Sequence, residues 1–283
     1  MSPDLQEQIA DQVRLALAED VGSGDLTAQL IGAEVQASST VITREAGVLC
    51  GKAWFDEVFR QLDPRTSVRW QVDDAQPLAP NQTLCTLQGN ARTLLTGERT
   101  ALNFLQLLSG VASQTRRYVD AMAGTRCRIL DTRKTLPGLR LAQKYAVRCG
   151  GGTNHRIGLH DAILIKENHI AAAGSIAAAV AAGRAANARV LLEIEVENLD
   201  QLQQAITASV DRIMLDNFTL ADMRAAVRVL RQQSLPGITL EASGNVSLDS
   251  IATIAATGVD FISVGALTKH VKALDLSMRF CTP

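Results

Sequence analysis

Aromatic residues are scarce in this chain, and no tract of basic residues with interleaved aromatics occurs in it. Phe, Trp and Tyr together make up 4% of the 283 residues, and the formal net charge is −1. The isoelectric point is near 6.4. Proteins that bind nucleic acid through its phosphates carry clustered lysines and arginines. We therefore expect no nucleic-acid partner.

A long apolar run is also missing. The most apolar stretch, residues 171–182, is rich in alanine and falls well short of the roughly 20 residues that span a bilayer. The N-terminal residues include acids where a secretory signal has a basic start followed by an apolar run. We expect no membrane partner and a soluble, cytoplasmic protein.

The cysteines argue against a disulfide framework. They are odd in number and widely spread, and no CxxC pair occurs among them: Cys50, Cys85, Cys127, Cys149 and Cys281. Small secreted domains depend on paired cysteines, whereas cytosolic proteins keep their thiols reduced. These five are expected to be reduced thiols.

The first part of the chain alternates helical segments with short apolar runs. Residues 4–19 are predicted to form an amphipathic helix, since apolar residues recur every four positions: Leu5, Ile9, Val13 and Leu17. Residues 54–62 and 98–122 are also predicted to be helical, with Gly110 dividing the latter into two helices. Runs bounded by turn residues predict antiparallel strands over 39–43, 48–50, 67–72 and 83–87. This pattern predicts a small α+β domain.

From Cys127 onward the pattern changes to apolar runs that end in polar residues or glycine. These predicted strands are 128–131, 162–166, 191–195, 212–216, 238–243 and 261–265. From Lys166 on, the run ends are 29, 21, 27 and 22 residues apart, which is typical of βα units and of a (β/α) barrel. Active sites of such barrels lie at the carboxyl ends of the strands. We therefore expect the following to face one mouth: Lys166, Glu195, Asp216, Ser243 and Gly265.

Positive charge is concentrated between Asp131 and Ile170. This segment contains four arginines, three lysines and three histidines against three acids, although the whole chain is close to neutral. Arginine forks bind carboxylates and phosphates in bidentate fashion, and lysine adds a compact charge. The segment predicts a pocket for a small, multiply anionic substrate.

Several short motifs supply candidate ligands for such a substrate. Arg133 and Lys134 follow the first barrel strand, and three glycines precede His155 and Arg156, where they let the backbone approach an anion. No GK[ST] or GxGxxG sequence accompanies these glycines, which argues against a nucleotide-binding loop. Turns after the last two strands are candidates for phosphate binding: Ser243, Gly244, Asn245, Ser263, Val264 and Gly265. Solvated loops and tight turns remain the alternative interpretation.

Two acids are candidate metal ligands. Glu195 and Asp216 end neighbouring strands, and Mg²⁺ usually takes one or two carboxylates together with substrate phosphates. Both acids could instead neutralise Lys134 and Lys166. The three histidines in the basic segment do not have the spacing of a zinc site.

These motifs, taken in order, resemble the quinolinate phosphoribosyltransferase family nearly from end to end. The matching segments are Glu19–Thr27, Glu98–Asn103, Asp131–Thr135, Gly150–Arg156, Lys166–His169, Glu193–Glu197, Met214–Asn217 and Glu241–Asn245. The resemblance implies an α/β protein with an N-terminal open-faced α+β sandwich domain over 1–110 and an incomplete (β/α) barrel over 111–266. Residues 267–283 are expected to pack back on the N-terminal domain.

The resemblance also implies a reaction and its ligands. Phosphoribosyl pyrophosphate and quinolinate would give nicotinate mononucleotide, pyrophosphate and CO₂, with Mg²⁺ as cofactor. The implied quinolinate ligands are Arg99, Arg133, His155 and Arg156, with Arg140 assisting. The implied ligands of the phosphoribosyl substrate are Lys134, Lys166, Glu195 and Asp216, with residues 243–245 and 263–265 around its 5′-phosphate. Thr132 is a further predicted substrate-binding residue. Lys134, Lys166, Glu195 and Asp216 are the predicted catalytic residues.

The same resemblance implies a homodimer in which Arg99 reaches the partner's site, and it leaves open whether dimers assemble into hexamers. Two rival functions remain on the residues alone. One is a phosphate-binding barrel aldolase or lyase that forms a Schiff base on Lys134 or Lys166. The other is a non-catalytic protein that binds anionic metabolites.

Overall fold

The computed structural model describes residues 3–233 and 237–281, and most of these residues lie in helices and strands. The helices are α1 Pro3–Val21, α2 Lys52–Leu62, α3 Ala91–Ala121, α4 Arg140–Cys149, α5 Glu167–Ala173, α6 Ile176–Ala186, α7 Leu199–Thr207, α8 Leu220–Gln232, α9 Ile251–Ala255 and α10 Ala266–Lys269. The strands are β1 Gln36–Thr43, β2 Gly47–Val48, β3 Ser67–Trp70, β4 Pro77–Leu78, β5 Thr83–Asn90, β6 Arg128–Leu130, β7 Ala162–Ile165, β8 Leu191–Val196, β9 Arg212–Asp216, β10 Thr239–Ser243, β11 Phe261–Ser263 and β12 Leu276–Cys281.

The antiparallel sheet predicted near the N-terminus is present, and the C-terminal strand completes it. Its strand order is β12-β1-β5-β3, and β12 pairs along β1 from Ser38 opposite Cys281 to Thr43 opposite Leu276. The four apolar residues that predicted α1 are all buried, which confirms its amphipathic pattern. Helix α2 likewise buries one face, formed by Trp54, Phe55, Val58 and Phe59.

Helix α3 runs without a break for 31 residues, so the predicted division at Gly110 was wrong. Gly110 is required because a neighbouring backbone segment packs too closely for a side chain, and it does not form a turn. A Cβ atom at this position would lie 2.1 Å from the carbonyl oxygen of Lys272. The chain near Lys272 is held to the helix, because the amide of Leu274 donates to the carbonyl of Gln106.

The second sheet is parallel and has six strands, in the order β6-β11-β10-β9-β8-β7. Strands β8, β9 and β10 each bury three consecutive residues, as expected for a parallel sheet covered on both faces. Within the described ranges, β6 and β7 do not pair with each other, so the barrel is incomplete. The predicted α/β fold class is confirmed. Strands β6, β7 and β11 end one or two residues before the predicted run ends.

Contacts divide the chain into two compact units. The first contains residues 1–116, 135–151 and 267–283, and the second contains residues 117–134 and 152–266. The antiparallel sheet belongs to the first unit and the parallel sheet to the second. The predicted domain boundaries remain an expectation, and their outermost residues, 1–2 and 282–283, lie outside the described part of the chain.

Four of the five cysteine side chains are described, and all four are free thiols: Cys50, Cys85, Cys127 and Cys149. The side chain of Cys281 lies outside the described residues. The reduced state expected of the described four is therefore what the structure has.

No single helix among the described residues has the length and apolar character to cross a membrane. One bent pair, α5 with α6, passes that test by length and composition when the two helices are taken together. The two are bent by 95° at a short break.

Replacing Gly110 by alanine should destabilise the protein, although alanine normally favours a helix. The added methyl group would meet a backbone oxygen that is held in place, and overpacking of this kind costs about 1–3 kcal/mol. Urea unfolding of Gly110→Ala would measure the loss. Gly183→Ala in α6 is the control, because the one close contact of its methyl group would be 2.8 Å from the flexible end of Leu192, with Ile163 and Ile165 at ordinary contact distance. A Gly110→Ala protein at least as stable as the parent would contradict this account of the glycine.

Candidate active site

A cavity of ≈ 270 Å³ opens at the carboxyl ends of the strands of the parallel sheet. It is lined by Thr132, Arg133, Lys134, His155, Arg156, Leu164, Lys166, Glu195, Met214, Asp216, Glu241, Ser243 and Ser263. All of these residues belong to the second compact unit. Basic and acidic side chains therefore face one another in a small space.

Sheet register brings the ends of neighbouring strands together. Lys166 and Glu195 each follow a residue of the parallel pair Ile165 and Ile194, and the Lys166 Nζ atom donates to Glu195 Oε2 over 2.5 Å. Asp216 is paired with Ser243 across β9 and β10. Four of the five strand-end residues expected at one mouth therefore line this cavity.

Gly265, the fifth of those residues, is not among the lining side chains but makes room for one of them. A Cβ atom at Gly265 would lie 2.9 Å from Lys134 Cδ. Lys134 is oriented from its own loop as well, because its amide donates to Thr132 Oγ1 over 3.1 Å. The glycine thus permits the close passage of a lysine that lines the cavity.

The loop that carries His155 and Arg156 is fixed by Asp131, a fully buried acid directly after β6. One oxygen of its carboxylate accepts from the His155 amide at 2.9 Å, and the other accepts from the Asn154 side-chain amide at 2.5 Å. The amide of Thr153 donates to the Ile129 carbonyl. The segment from Thr153 to Arg156 thus runs beside the end of β6 and reaches the cavity in a defined position.

Hydrogen bonds hold Arg156 both at its backbone amide and at its guanidinium group. Its amide donates to His155 Nδ1 at 2.7 Å, and its guanidinium Nη1 donates to the Ala162 carbonyl at 3.3 Å. Burial lowers the pKa of this guanidinium, and the positive charge of Arg133 lowers it further. Two close guanidinium groups favour an anion between them.

The turn after β10 has unusual backbone angles. Gly244 has φ +97° and Asn245 has φ +47°. Any Cβ atom at Gly244 would lie 2.2 Å from Asn217 Oδ1, so glycine is required there on two counts. Ser243 and Ser263 line the cavity, whereas the amide of Val264 donates to the Leu130 carbonyl within the sheet.

Two predicted ligands lie in the first unit and are not among the residues that line the cavity. Arg99 is exposed on α3. Arg140 begins α4, and its Nε atom donates to Thr135 Oγ1 at 3.1 Å.

Sequence reasoning missed a layer of buried ionisable side chains at the base of the cavity, one of which, Glu241, is among the lining residues. Glu193 and Glu241 are fully buried, and both approach His155 Nε2, at 2.9 Å from Glu193 Oε2 and 3.5 Å from Glu241 Oε2. Arg212 Nη1 lies 3.4 Å from Glu241 Oε2. The two-residue spacing of Glu193 from Glu195 could have revealed this layer, since alternate strand residues share a face.

Burial raises the pKa of Glu241 to about 8, with the charge of Glu193 contributing in the same direction. Burial also raises the pKa of Glu193. Two close buried carboxyl groups hold a proton more tightly than exposed ones do.

Family models for both halves of one enzyme match this chain. The N-terminal domain of quinolinate phosphoribosyl transferase matches residues 25–109, and its C-terminal domain matches residues 111–279. The chain belongs to the quinolinate phosphoribosyltransferase family. The sequence resemblance is thereby confirmed.

Individual members of the family are similar over nearly their whole length. The nicotinate-nucleotide pyrophosphorylase (carboxylating) of Mycobacterium leprae is 45% identical over 274 residues, which are 95% of either chain. A probable enzyme of the same name from Synechocystis is 45% identical over 264 residues, which are 93% of this chain and 89% of the relative. The solved nicotinate-nucleotide pyrophosphorylase from Francisella tularensis has a TM-score of 0.95 and 49% identity, covering 99% of this chain and 98% of its own.

Replacing Glu241 by glutamine should flatten the pH dependence of stability. Because the folded state raises the pKa of Glu241 from 4.5 to about 8, the folded protein binds this proton more tightly than the unfolded chain does. The free energy of unfolding should therefore fall as pH rises through this window, by on the order of 3–5 kcal/mol at most. Glu241→Gln carries no such titration and should lose less stability between pH 5 and 8.

Urea unfolding at several pH values would measure this difference. Glu197→Gln, at an exposed carboxyl just after β8, serves as the control and should follow the parent. Parallel curves for the parent and Glu241→Gln would contradict the raised pKa.

Proposed function

We propose that this chain transfers the phosphoribosyl group of phosphoribosyl pyrophosphate to quinolinate and releases pyrophosphate and CO₂. Nicotinate mononucleotide is the other product. The observation that carries this proposal is a cavity lined by two arginines, two lysines and two strand-end carboxylates in a member of this family. The name of its relatives, nicotinate-nucleotide pyrophosphorylase (carboxylating), describes the same reaction in the reverse direction.

Arg133 and Arg156 suit the two carboxylates of quinolinate. Each guanidinium can bind one carboxylate in bidentate fashion, and the bound dianion would relieve the repulsion between them. The hydrogen bonds at both ends of Arg156 pre-orient it for this contact. Preorganised donors lose less entropy when the substrate binds.

The lysine and serine side chains of the cavity suit the phosphates of the phosphoribosyl substrate. Lys134 and Lys166 would bind its diphosphate, and the hydroxyl groups of Ser243 and Ser263 would contact its 5′-phosphate. Gly244 and Asn245 directly follow Ser243, and we propose that their backbone amides contact the same phosphate. Thr132 also lines the cavity, and its hydroxyl oxygen accepts a hydrogen bond from the amide of Lys134.

The donor set also fits Mg²⁺, which prefers hard oxygen ligands and usually takes one or two carboxylates together with substrate phosphates. Glu195 and Asp216, both in the cavity lining, would hold the ion. When bound, Mg²⁺ supplies charge neutralisation to the departing pyrophosphate. Lys166, already paired with Glu195, would remain beside it.

The chain acts by positioning and by electrostatics. Arg133 and Arg156 hold the quinolinate nitrogen toward the anomeric carbon, where a carbon–nitrogen bond forms as the carbon–oxygen bond to pyrophosphate breaks. The carboxylates of Glu195 and Asp216 favour positive charge on that carbon, and the lysines stabilise the leaving group. The quaternised ring then loses its adjacent carboxylate as CO₂, and a solvent proton replaces it.

We also propose that the enzyme is a cytoplasmic homodimer in which Arg99 serves the partner's site. Arg99 is exposed on α3 and is not among the residues that line the cavity of its own chain. The four free thiols suit a reducing compartment.

A Schiff-base mechanism is less suited to this cavity. Such a mechanism needs a lysine that reacts as a neutral amine. The Nζ atom of Lys166 is instead held by the carboxylate of Glu195.

Incubation with quinolinate, phosphoribosyl pyrophosphate and Mg²⁺ should release CO₂ and nicotinate mononucleotide in equal amounts. EDTA should abolish turnover, because the diphosphate would then leave without its counter-charge. Chromatography of the nucleotide together with trapping of labelled CO₂ measures both products. Folded protein that makes neither product would overturn the assignment, and full turnover in EDTA would overturn the metal proposal.

Arg156→Ala should raise the KM for quinolinate by about 10- to 100-fold, because a charge-assisted hydrogen bond contributes about 1.5–3 kcal/mol. The KM for phosphoribosyl pyrophosphate should change little. Steady-state kinetics with each substrate varied in turn would separate the two effects. Arg184→Ala, which removes an arginine paired with Asp211, is the control. A quinolinate KM within twofold of the parent's would contradict the role of Arg156.

A further inference from the structure

The layer of the barrel directly beneath the cavity is charged. Interiors of (β/α) barrels are usually filled by branched apolar side chains. Here Glu193 lies two residues before Glu195 on β8, and Glu241 lies two residues before Ser243 on β10. Arg212 begins β9, the strand between them. Alternation along a strand puts each of these residues on the face that carries the cavity residues.

The ionisable residues of this layer contact one another and His155. Arg212 lies 3.4 Å from Glu241, and both Glu241 and Glu193 approach His155 Nε2. The guanidinium of Arg212 also lies 4.3 Å from the ring centroid of Phe261. Ser263, a cavity residue, hydrogen-bonds Glu241.

His155 connects this layer to Arg156. Its Nδ1 atom accepts the Arg156 amide proton at 2.7 Å, so the ring proton lies on Nε2, which faces the two carboxylates. The Nδ1 atom is therefore hydrogen-bonded to the backbone of Arg156, and the Nε2 atom lies close to the two buried carboxyl groups without a hydrogen bond to either.

Burial of two carboxyl groups is costly, and apolar side chains of similar volume would often be as stable or more stable. Stability alone therefore does not account for this layer. Orienting the ring of His155 does account for it, since the ring cannot rotate without losing both the hydrogen bond of its Nδ1 atom and the 2.9 Å contact of its Nε2 atom with Glu193.

We propose that Glu193, Glu241 and Arg212 are positioning residues that fix the ring of His155 and, through it, the backbone of Arg156. They hold the Arg156 guanidinium ready for a substrate carboxylate and act on the substrate through it. This inference rests on the proposed function, in which Arg156 binds quinolinate.

A buried metal ion is the competing occupant of the same place. Ligand atoms of His155, Glu193 and Glu241 lie within 4.8 Å of one another, which would suit a cation. Arg212 already supplies a positive charge to Glu241, and this favours the metal-free network.

The test compares Glu193→Gln, Glu241→Gln and the double variant with the parent and with Glu197→Gln. Glutamine keeps the shape of each side chain and replaces the carboxyl group that lies against the histidine by an amide. We expect the quinolinate KM of the double variant to rise at least about tenfold, the loss expected when the charge-assisted contact of Arg156 with quinolinate weakens. The KM for phosphoribosyl pyrophosphate should stay within twofold, and the melting temperature should not fall.

A purely structural role would lower the melting temperature and impair both substrates alike, and this result would overturn the proposal. So would a quinolinate KM within twofold of the parent's in a folded double variant. One metal ion per chain in the purified parent, lost from Glu193→Gln, would also overturn it in favour of a metal site.

Calorimetric titration of quinolinate separates this inference from the proposed function. If the parent binds quinolinate without turning it over, the proposed reaction fails, and the weaker binding expected of the double variant still tests the positioning network. If the parent does not bind quinolinate at all, both proposals fail. Equal affinities of the parent and the double variant would overturn the network alone.

Discussion

Basic and acidic side chains of one parallel sheet compensate each other's charge, and the site is built around this compensation. The carboxyl ends of six strands bring basic residues into one small cavity, and acids on the same strands lie beside and beneath them. Lys166 is paired with Glu195, and His155 approaches Glu193 and Glu241. Without these acids the positive side chains would repel one another before any anionic substrate arrived.

Residues at two heights along the strands of the parallel sheet contribute to this charge compensation. Residues at the strand ends line the cavity and are available to a substrate, while Glu193, two positions before Glu195, is fully buried and is not among the lining residues. Asp131 acts at the second level too, since its carboxylate fixes the loop of His155. The precision of a site built from flexible arginines and lysines depends on such supporting contacts.

Much of this arrangement followed from local patterns in the chain. Strand β9 was predicted with its observed bounds, Arg212–Asp216, because a short apolar run between polar residues is compatible with few other structures. The break predicted at Gly110 was wrong, because a glycine in a helical pattern can serve a close contact as well as a turn. Strand β12 was not predicted, because its partner β1 lies more than two hundred residues away in the chain.

The fold class, the family and the chemical character of the cavity can be read from the chain alone, because apolar periodicity and residue type are local properties. Which ionisable side chains meet depends on the folded structure. Glu193, Arg212 and Glu241 come from three different strands, and their contacts with one another and with His155 arise from sheet register and from the loop that Asp131 fixes. Register and loop position depend on the packing of the whole unit, and no segment of the chain specifies them alone.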